Sequence, residues 1–224
     1  AVMKTISLIG GMGWQSTLTY HDLLNKMVGT HLGGLHSTEI LMESLNFTGL
    51  EAAMQRGDWT TIESRLWEEA AALEQGGANC LLLCSNTMHK LYGRIATCVG
   101  IPFFHTADAL SHAPAADGLT RVGLLGTRFT MVENFYATRL REGFGIGVIL
   151  PDELQIGRID AVIFDELFRG IFEESSSDAY LEIMDGLVAR GAEGIILGCT
   201  EIEMLVKPGH PILPLYDTTF LHAR

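Results

Sequence analysis

The sequence has few basic residues and no basic cluster. Lys and Arg number 15 against 27 Asp and Glu, which leaves a formal net charge of −12 over 224 residues. Nucleic acids and anionic membrane surfaces bind proteins through concentrated positive charge, so we expect neither as a partner. No apolar run reaches the roughly 20 residues that a membrane span needs, so we expect no membrane association.

The sequence is also poor in cysteine and lacks the common metal-binding motifs. Its four cysteines, Cys80, Cys84, Cys98 and Cys199, form no CxxC pair, and there is no HExxH. A zinc or other metal site is therefore not expected. The opening residues AVMKTISLIGGMG are typical of a strand and a turn rather than an export signal. These features predict a cytoplasmic protein with reduced thiols.

Short apolar runs alternate with longer amphipathic stretches along the whole chain. We predict strands at residues 5–10, 37–45, 80–85, 101–105, 121–126, 147–151, 194–199 and 211–216. Several of these runs are apolar at every residue, as expected for strands covered by helices. We predict helices at residues 16–32, 59–77, 130–145 and 177–192, each starting or ending at capping residues or glycine. This order predicts α/β layers with a mostly parallel sheet.

Three segments recur in the same order. ISLIGGMG (6–13) matches VGLLGTRF (122–129), GANCLLLCSNT (77–87) matches GAEGIILGCTE (191–201), and IPFFHTAD (101–108) resembles LPLYDTT from Leu213. The offsets between their starts are 116, 114 and 112 residues. Such a period is too long for a solenoid and fits two copies of one small domain. The fold class is thus predicted as two similar small α/β domains in a pseudo-two-fold repeat, each with a mostly parallel sheet covered by helices.

The repeat also predicts where the domains divide. We expect a first domain at residues 1–105 and a second at 106–214, with SHAPAADGL (111–119) as a linker. Residues 215–224 are expected to return to the first domain, where DTTFLHAR looks like the start of a helix. Open α/β sheets bind ligands at the carboxyl ends of their strands, so we expect a cleft lined by those ends from both domains.

Ser85 and Cys199 occupy equivalent strand ends in the repeat. A thiol before a helix is stabilised as a thiolate by the helix dipole, so we expect a lowered pKa for Cys199. A serine at such a turn can also serve only as a helix cap. Cys80, Cys84 and Cys98 are interpreted as core residues.

The motifs LIGGMGWQST, CSNTMH, VGLLGTRFTM, IFDEL and LGCTEI, in this order, span essentially the whole chain. Together they resemble the aspartate/glutamate racemase family. The resemblance implies an isomerase that works without pyridoxal phosphate or any other cofactor, with two cysteines that remove and return the α-proton on opposite faces. The second of these cysteines falls on Cys199, and the first falls on Ser85, a departure from the family pattern. Cys84 is one residue too early and points to the other face of the strand.

The resemblance also implies a set of residues that hold the substrate. These match positions around the carboxylates of a dicarboxylic amino acid: Met12, Asn86, Thr87, Thr127, Arg169 and Thr200. Arg169 in DELFRG is alternatively an ordinary exposed helix arginine.

The function predicted on this basis is cofactor-independent racemisation of aspartate and/or glutamate by a homodimer. Because a serine hydroxyl is essentially unionised at neutral pH, we expect activity that is one-sided or impaired. Two alternatives remain: a decarboxylase or isomerase of the same superfamily that uses one thiol, and a non-catalytic binder of dicarboxylates.

Overall fold

A computed structural model of the chain describes residues 3–206 and 213–224. They divide into two compact units, one running to His105 and including Ala223–Arg224, the other covering Thr106–His222. Each unit has a parallel sheet covered by helices, as predicted.

In the first unit, the described residues form a three-stranded parallel sheet. Its strands are β1 (Ile6–Gly10), β2 (Ile40–Ser44) and β3 (Cys80–Leu83), in the order β2-β1-β3. Its helices are α1 (Trp14–Leu32), α2 (Phe47–Gln55), α3 (Trp59–Gln75), α4 (Tyr92–Ile95) and a 3-10 helix at Thr87–Leu91. Helices α1 and α3 both contact the central strand β1.

Burial in the first sheet follows the strand order. The edge strand β2 is half-buried or exposed along its length, and it is shorter than the predicted segment 37–45. The central strand β1 is buried from its second residue onward, because neighbours cover it on both edges. Leu8, Tyr20 and Leu24 pack together in one buried cluster, with Ala223 from the end of the chain against it.

In the second unit, the described residues form a four-stranded parallel sheet. Its strands are β4 (Arg121–Gly126), β5 (Gly147–Ile149), β6 (Ile195–Gly198) and β7 (Leu215–Asp217), in the order β5-β4-β6-β7. Its helices are α5 (Thr106–Ala116), α6 (Arg128–Val132), α7 (Asn134–Phe144), α8 (Glu153–Asp165), α9 (Glu174–Ala189) and α10 (Thr200–Leu205), with a second 3-10 helix at Leu167–Arg169. Helix α11 (Thr218–Ala223) completes the chain.

Two paired glycines set the position of the second unit's central strand ends. Gly126 of β4 is paired with Gly198 of β6. A Cβ on Gly126 would lie 3.0 Å from the Gly198 carbonyl oxygen, and one on Gly198 would lie 2.8 Å from the Leu125 oxygen. Side chains at either position would push the strands apart, so the glycines permit the close approach. The next residues, Thr127 and Cys199, therefore leave the sheet side by side.

The predicted linker is wrong. Residues 106–116 form helix α5, which carries Pro114 and has Ala107 and Leu110 fully buried in the core of the second unit. Pro114 removes only one backbone donor from the helix. Burial of the apolar residues outweighs that loss.

The division of the C-terminal segment also differs from the prediction. Strand β7 pairs with β6, as Ile195 with Leu215, and so lies in the second unit together with residues up to His222. Only Ala223–Arg224 belongs with the first unit. The sequence predicts that residues 215–224 return to the first domain, because it does not show which strand β7 pairs with. The predicted helix beginning in DTTFLHAR is confirmed as α11.

The predicted strand at 101–105 is reduced to a single parallel bridge between Leu81 and Phe103. Its repeat counterpart, predicted at 211–216, begins outside the described residues and appears as β7. Leu81 and Ile195 differ by 114 residues, and Phe103 and Leu215 differ by 112, so the two pairings share one register. The repeat seen in the sequence is thus a repeat of strand pairing.

Within residues 3–206 and 213–224, no helix combines the length and the apolar character that crossing a bilayer requires.

Candidate active site

Ser85 lies two residues beyond β3, at the start of the turn into the 3-10 helix Thr87–Leu91. The side chain is half-buried. The Met88 backbone N–H approaches the Ser85 hydroxyl oxygen at 3.5 Å, the outer limit of a hydrogen bond. The hydroxyl therefore provides at most a weak helix cap, and this contact alone does not fix its direction.

Cys84 belongs to the core, as predicted. It is 1% exposed and lies in the cluster that contains Leu8 and Leu82. Burial raises the pKa of the Cys84 thiol far above its ordinary range. A buried, un-ionised thiol among apolar side chains is suited to packing rather than to acid–base chemistry.

Cys199 is the residue that caps α10, directly after strand β6. Its thiol donates a hydrogen bond to Oε2 of Glu201, at 3.0 Å. Both side chains are buried, with 6% of Cys199 and 1% of Glu201 exposed. A thiol and a carboxyl group are thus held in direct contact out of water.

The predicted lowering of the Cys199 pKa is wrong. Burial, followed by the negative charge of Glu201 and its hydrogen bond, raises the pKa of the thiol well above its ordinary value. Helix α10 has six residues, and the stabilisation of a thiolate by its dipole is outweighed by desolvation and a neighbouring carboxylate. In the ligand-free chain, Cys199 therefore holds its proton.

A pair of carboxyl groups, Glu203 of the same helix and Asp217 of the neighbouring strand β7, lies close to this contact in the chain. Burial, with a hydrogen bond to Asp217 and the charge of that residue, raises the pKa of Glu203 to about 10. Asp217 ends β7 and accepts a hydrogen bond from the Phe220 backbone N–H at 2.8 Å. At neutral pH, Glu203 is thus a neutral acid beside Asp217.

Sequence reasoning assigned no role to Glu201 or Glu203. The position of Glu201 could have indicated its role. It lies two residues after the strand-end cysteine, in the first turn of a helix, and the apolar pattern indicates which face of that helix is buried. Charged residues are rarely so buried unless they have a partner, and the partner here is the thiol.

Thr127 and Thr200, both predicted to bind substrate, are buried at neighbouring strand ends of the second unit. Thr127 caps α6, with its hydroxyl oxygen accepting from the Thr130 backbone N–H at 3.3 Å. Thr200 shares a hydrogen bond with the Thr219 hydroxyl at 3.0 Å. Both hydroxyls therefore have structural partners in the ligand-free chain.

Met12, Asn86 and Thr87 are the predicted binding residues of the first unit. Met12 lies between β1 and α1 and is 4% exposed, while Asn86 and Thr87 directly follow Ser85. Because β1 and β3 are parallel neighbours, these residues emerge at the same edge of the first sheet.

Arg169 ends the 3-10 helix Leu167–Arg169. Its guanidinium group lies 3.7 Å from the Asp165 carboxylate, and the two side chains are 67% and 70% exposed. An exposed pair of this kind contributes little to stability. These contacts give Arg169 the environment of an ordinary surface arginine, and its role toward a substrate stays a prediction.

Comparison with known proteins identifies the family. A family model for Asp/Glu/hydantoin racemases matches residues 9–224. The structure of a candidate Asp/Glu racemase from Yersinia pestis is 42% identical, covering 99% of this chain and 96% of that one, with a TM-score of 0.91.

Two further structures extend the comparison. An aspartate racemase homologue from Pyrococcus horikoshii is 29% identical, covering 99% of this chain and 96% of that one, with a TM-score of 0.83. A glutamate racemase from Francisella tularensis, solved with D-glutamate, is 16% identical, covers 98% of this chain and 78% of that one, and has a TM-score of 0.66, which shows a shared fold. The chain therefore belongs to the Asp/Glu/hydantoin racemase family.

Proposed function

We propose that this chain racemises aspartate and/or glutamate without a cofactor, with Cys199 as the main acid–base group and Ser85 acting on the opposite face of the α-carbon. Family membership supports the reaction class. The equivalent places of Ser85 and Cys199 in the two copies of the repeat support their pairing.

The observation that carries the proposal is the 3.0 Å contact between the Cys199 thiol and the Glu201 carboxylate. Transfer of the thiol proton to Glu201 leaves a thiolate, which can then take the α-hydrogen of the amino acid. The surroundings that raise the pKa of the thiol make the thiolate rare but more basic once it forms. A thiol beside a base is the usual way of activating such a group.

Removal of the α-hydrogen also requires stabilisation of the carbanion that forms. Backbone N–H groups at the strand ends, where Asn86 and Thr200 follow the acid–base residues, are suited to the substrate's carboxylate. Donors fixed at the place where negative charge develops contribute a large share of catalysis in such reactions.

Ser85 is the weaker partner in this scheme. The carbanion must receive a proton from the Ser85 hydroxyl to complete inversion; the alkoxide that remains is then reprotonated from solvent, and Glu201 releases to solvent the proton it took from the thiol. A hydroxyl gives up its proton far less readily than a thiol. Inversion is therefore slower than return of a solvent proton through Cys199.

The test uses the intact protein with each enantiomer of aspartate and of glutamate in heavy water, followed by proton NMR and chiral analysis. We expect replacement of the α-hydrogen by deuterium and slower appearance of the opposite enantiomer. A substituted malonate forms a separate arm, because a single thiol also fits a decarboxylase. Carbon dioxide release without α-exchange would replace the racemase proposal by decarboxylation. Ligand-induced stabilisation with neither reaction would identify a dicarboxylate binder.

A further inference from the structure

His89 contacts the backbone of Ser85 in the first unit and has no part in the scheme above. It is 2% exposed and belongs to the 3-10 helix Thr87–Leu91. Its Nδ1 lies 2.7 Å from the carbonyl oxygen of Ser85. Because a carbonyl oxygen only accepts hydrogen bonds, Nδ1 carries the hydrogen and donates it.

Neighbouring rings hold the imidazole of His89 in place. The rings of His89 and Phe103 are stacked with centroids 6.1 Å apart, and the centroid of His105 is 4.7 Å away. Phe103 forms the bridge to Leu81 of β3, and its carbonyl accepts from the Tyr92 hydroxyl at 2.9 Å. The imidazole therefore packs against rings that are attached to β3, the strand that leads into Ser85.

The contact with the carbonyl constrains Ser85 more than the contact with its hydroxyl does. The carbonyl contact is 2.7 Å, whereas the Met88 N–H is 3.5 Å from the hydroxyl oxygen. The peptide group is planar, so a fixed Ser85 carbonyl also fixes the direction of the Asn86 N–H. The same hydrogen bond thus orients both the backbone that carries the hydroxyl and a candidate donor to the substrate.

We propose that His89 is a positioning residue for Ser85: its Nδ1–H holds the Ser85 carbonyl and so directs the hydroxyl toward the α-carbon. This role rests on the proposed racemase function. In this role His89 acts through the backbone of Ser85, because its Nδ1–H is donated to the carbonyl oxygen.

The test compares His89→Phe, which keeps a ring without the donor, with His89→Asn, whose amide nitrogen can take the place of Nδ1. Two rates are measured on the same enantiomer: α-deuterium exchange through Cys199, and inversion, which also needs Ser85. We expect His89→Phe to lower the ratio of inversion to exchange about tenfold, because small displacements of a reacting group have large effects on rate. His89→Asn should recover most of that loss.

His112→Phe is the matched control, because it makes the same change of ring at an exposed position of helix α5 in the second unit; its ratio should equal that of the wild type. If His89→Phe does not fold, His89→Gln replaces it, since its amide is displaced by one bond from the δ position. If the wild type shows exchange, two results would overturn the positioning role alone. One is a ratio in His89→Phe equal to that of the wild type, and the other is an equal loss in His89→Asn and His89→Phe. A wild type without exchange would instead overturn the proposed function and this role with it.

Discussion

The Ser85 and Cys199 strand ends share one backbone arrangement and differ in the side chains that surround them. Each follows a strand that pairs in parallel with the first strand of its unit, β3 with β1 and β6 with β4, and each precedes a short helix. With the repeat offsets of 114 and 112 residues, three positions around them can be compared. They are Thr87, His89 and His105 at the Ser85 end, and Glu201, Glu203 and Asp217 at the Cys199 end.

The comparison shows that the repeat conserves strand register while the electrostatics of the two ends have diverged. At the Cys199 end, burial and then the neighbouring Glu201 carboxylate raise the pKa of the thiol, and that carboxylate accepts the thiol's hydrogen bond. At the Ser85 end, an imidazole donates to the backbone instead. The first arrangement suits proton transfer and the second suits orientation of a weak acid. The two faces of a substrate should therefore be handled unequally.

The largest expected effect is at the thiol. We expect Cys199→Ala to abolish both α-proton exchange and racemisation while the protein stays folded, because the Glu201 carboxylate that remains is a much weaker base than a thiolate. Deuterium incorporation by NMR and thermal unfolding measure the two properties. Cys84→Ala is the matched control and should keep its activity. Substantial exchange in Cys199→Ala would break the assignment of the thiol.

Glu201→Gln sharpens the comparison by removing the carboxylate beside the Cys199 thiol. Without the base that receives the thiol proton, we expect exchange to fall about 100-fold. The thiol pKa should fall at the same time, because a neighbouring negative charge that raises it is removed. The onset of thiolate absorbance should thus move to lower pH, although burial keeps it above the ordinary range.

The control for that variant is Glu182→Gln on the exposed face of α9. It should change neither the rate of exchange nor the pH at which thiolate absorbance appears. If Glu201→Gln left exchange intact, Glu201 would serve only to pack against the thiol.

Ser85→Cys makes the two ends alike. We expect inversion to increase about tenfold, since a thiol is much more acidic than a hydroxyl, and the change in stability to be small because the side chains are nearly isosteric. Chiral analysis of product measures the effect. Unchanged inversion in a folded variant would mean that Ser85 is not the opposite acid–base group.

The smallest expected effect concerns stability. Folding raises the pKa of Glu203 from 4.5 to about 10, so the folded chain retains a proton that the unfolded chain releases between these values. The corresponding stability is fully present below the unfolded pKa and is lost as pH rises through the folded pKa. In urea unfolding, the wild type should therefore lose at least about 1 kcal/mol relative to Glu203→Gln between about pH 5 and about pH 9. Parallel pH profiles would contradict a buried neutral Glu203.

The sequence was sufficient for the fold class because the features that specify it are local and repeated. Strand ends, apolar periodicity and glycines such as Gly145, which ends α7 with φ 70°, are visible without the structure. Helix α8 was missed although Asp152 and Gln155 form a capping box, a signal that the sequence does contain. The segment 111–119 was predicted as a linker because it lies between the two copies of the repeat, whereas most of it continues the helix that begins at Thr106.

The chemistry of the site could be predicted only as far as residue position determines it. The strand-end places of Ser85 and Cys199 follow from the repeat. The direction of the Cys199 pKa does not, because it depends on the rotamer that brings Glu201 to 3.0 Å and on the depth of burial. The contact of His89 with the Ser85 carbonyl likewise depends on a 3-10 turn that the sequence pattern does not distinguish from an α-helix.

The most direct test of unequal strand ends is α-proton exchange in heavy water on each pure enantiomer of aspartate and of glutamate. The enantiomer whose α-hydrogen points at Cys199 should exchange rapidly and invert more slowly, because the thiolate can return a solvent proton to the same face. The opposite enantiomer should be nearly inert, since Ser85 would have to act as the initial base. Equal exchange rates for the two enantiomers would contradict the account and would mean that the Ser85 hydroxyl is as strongly activated as the Cys199 thiol.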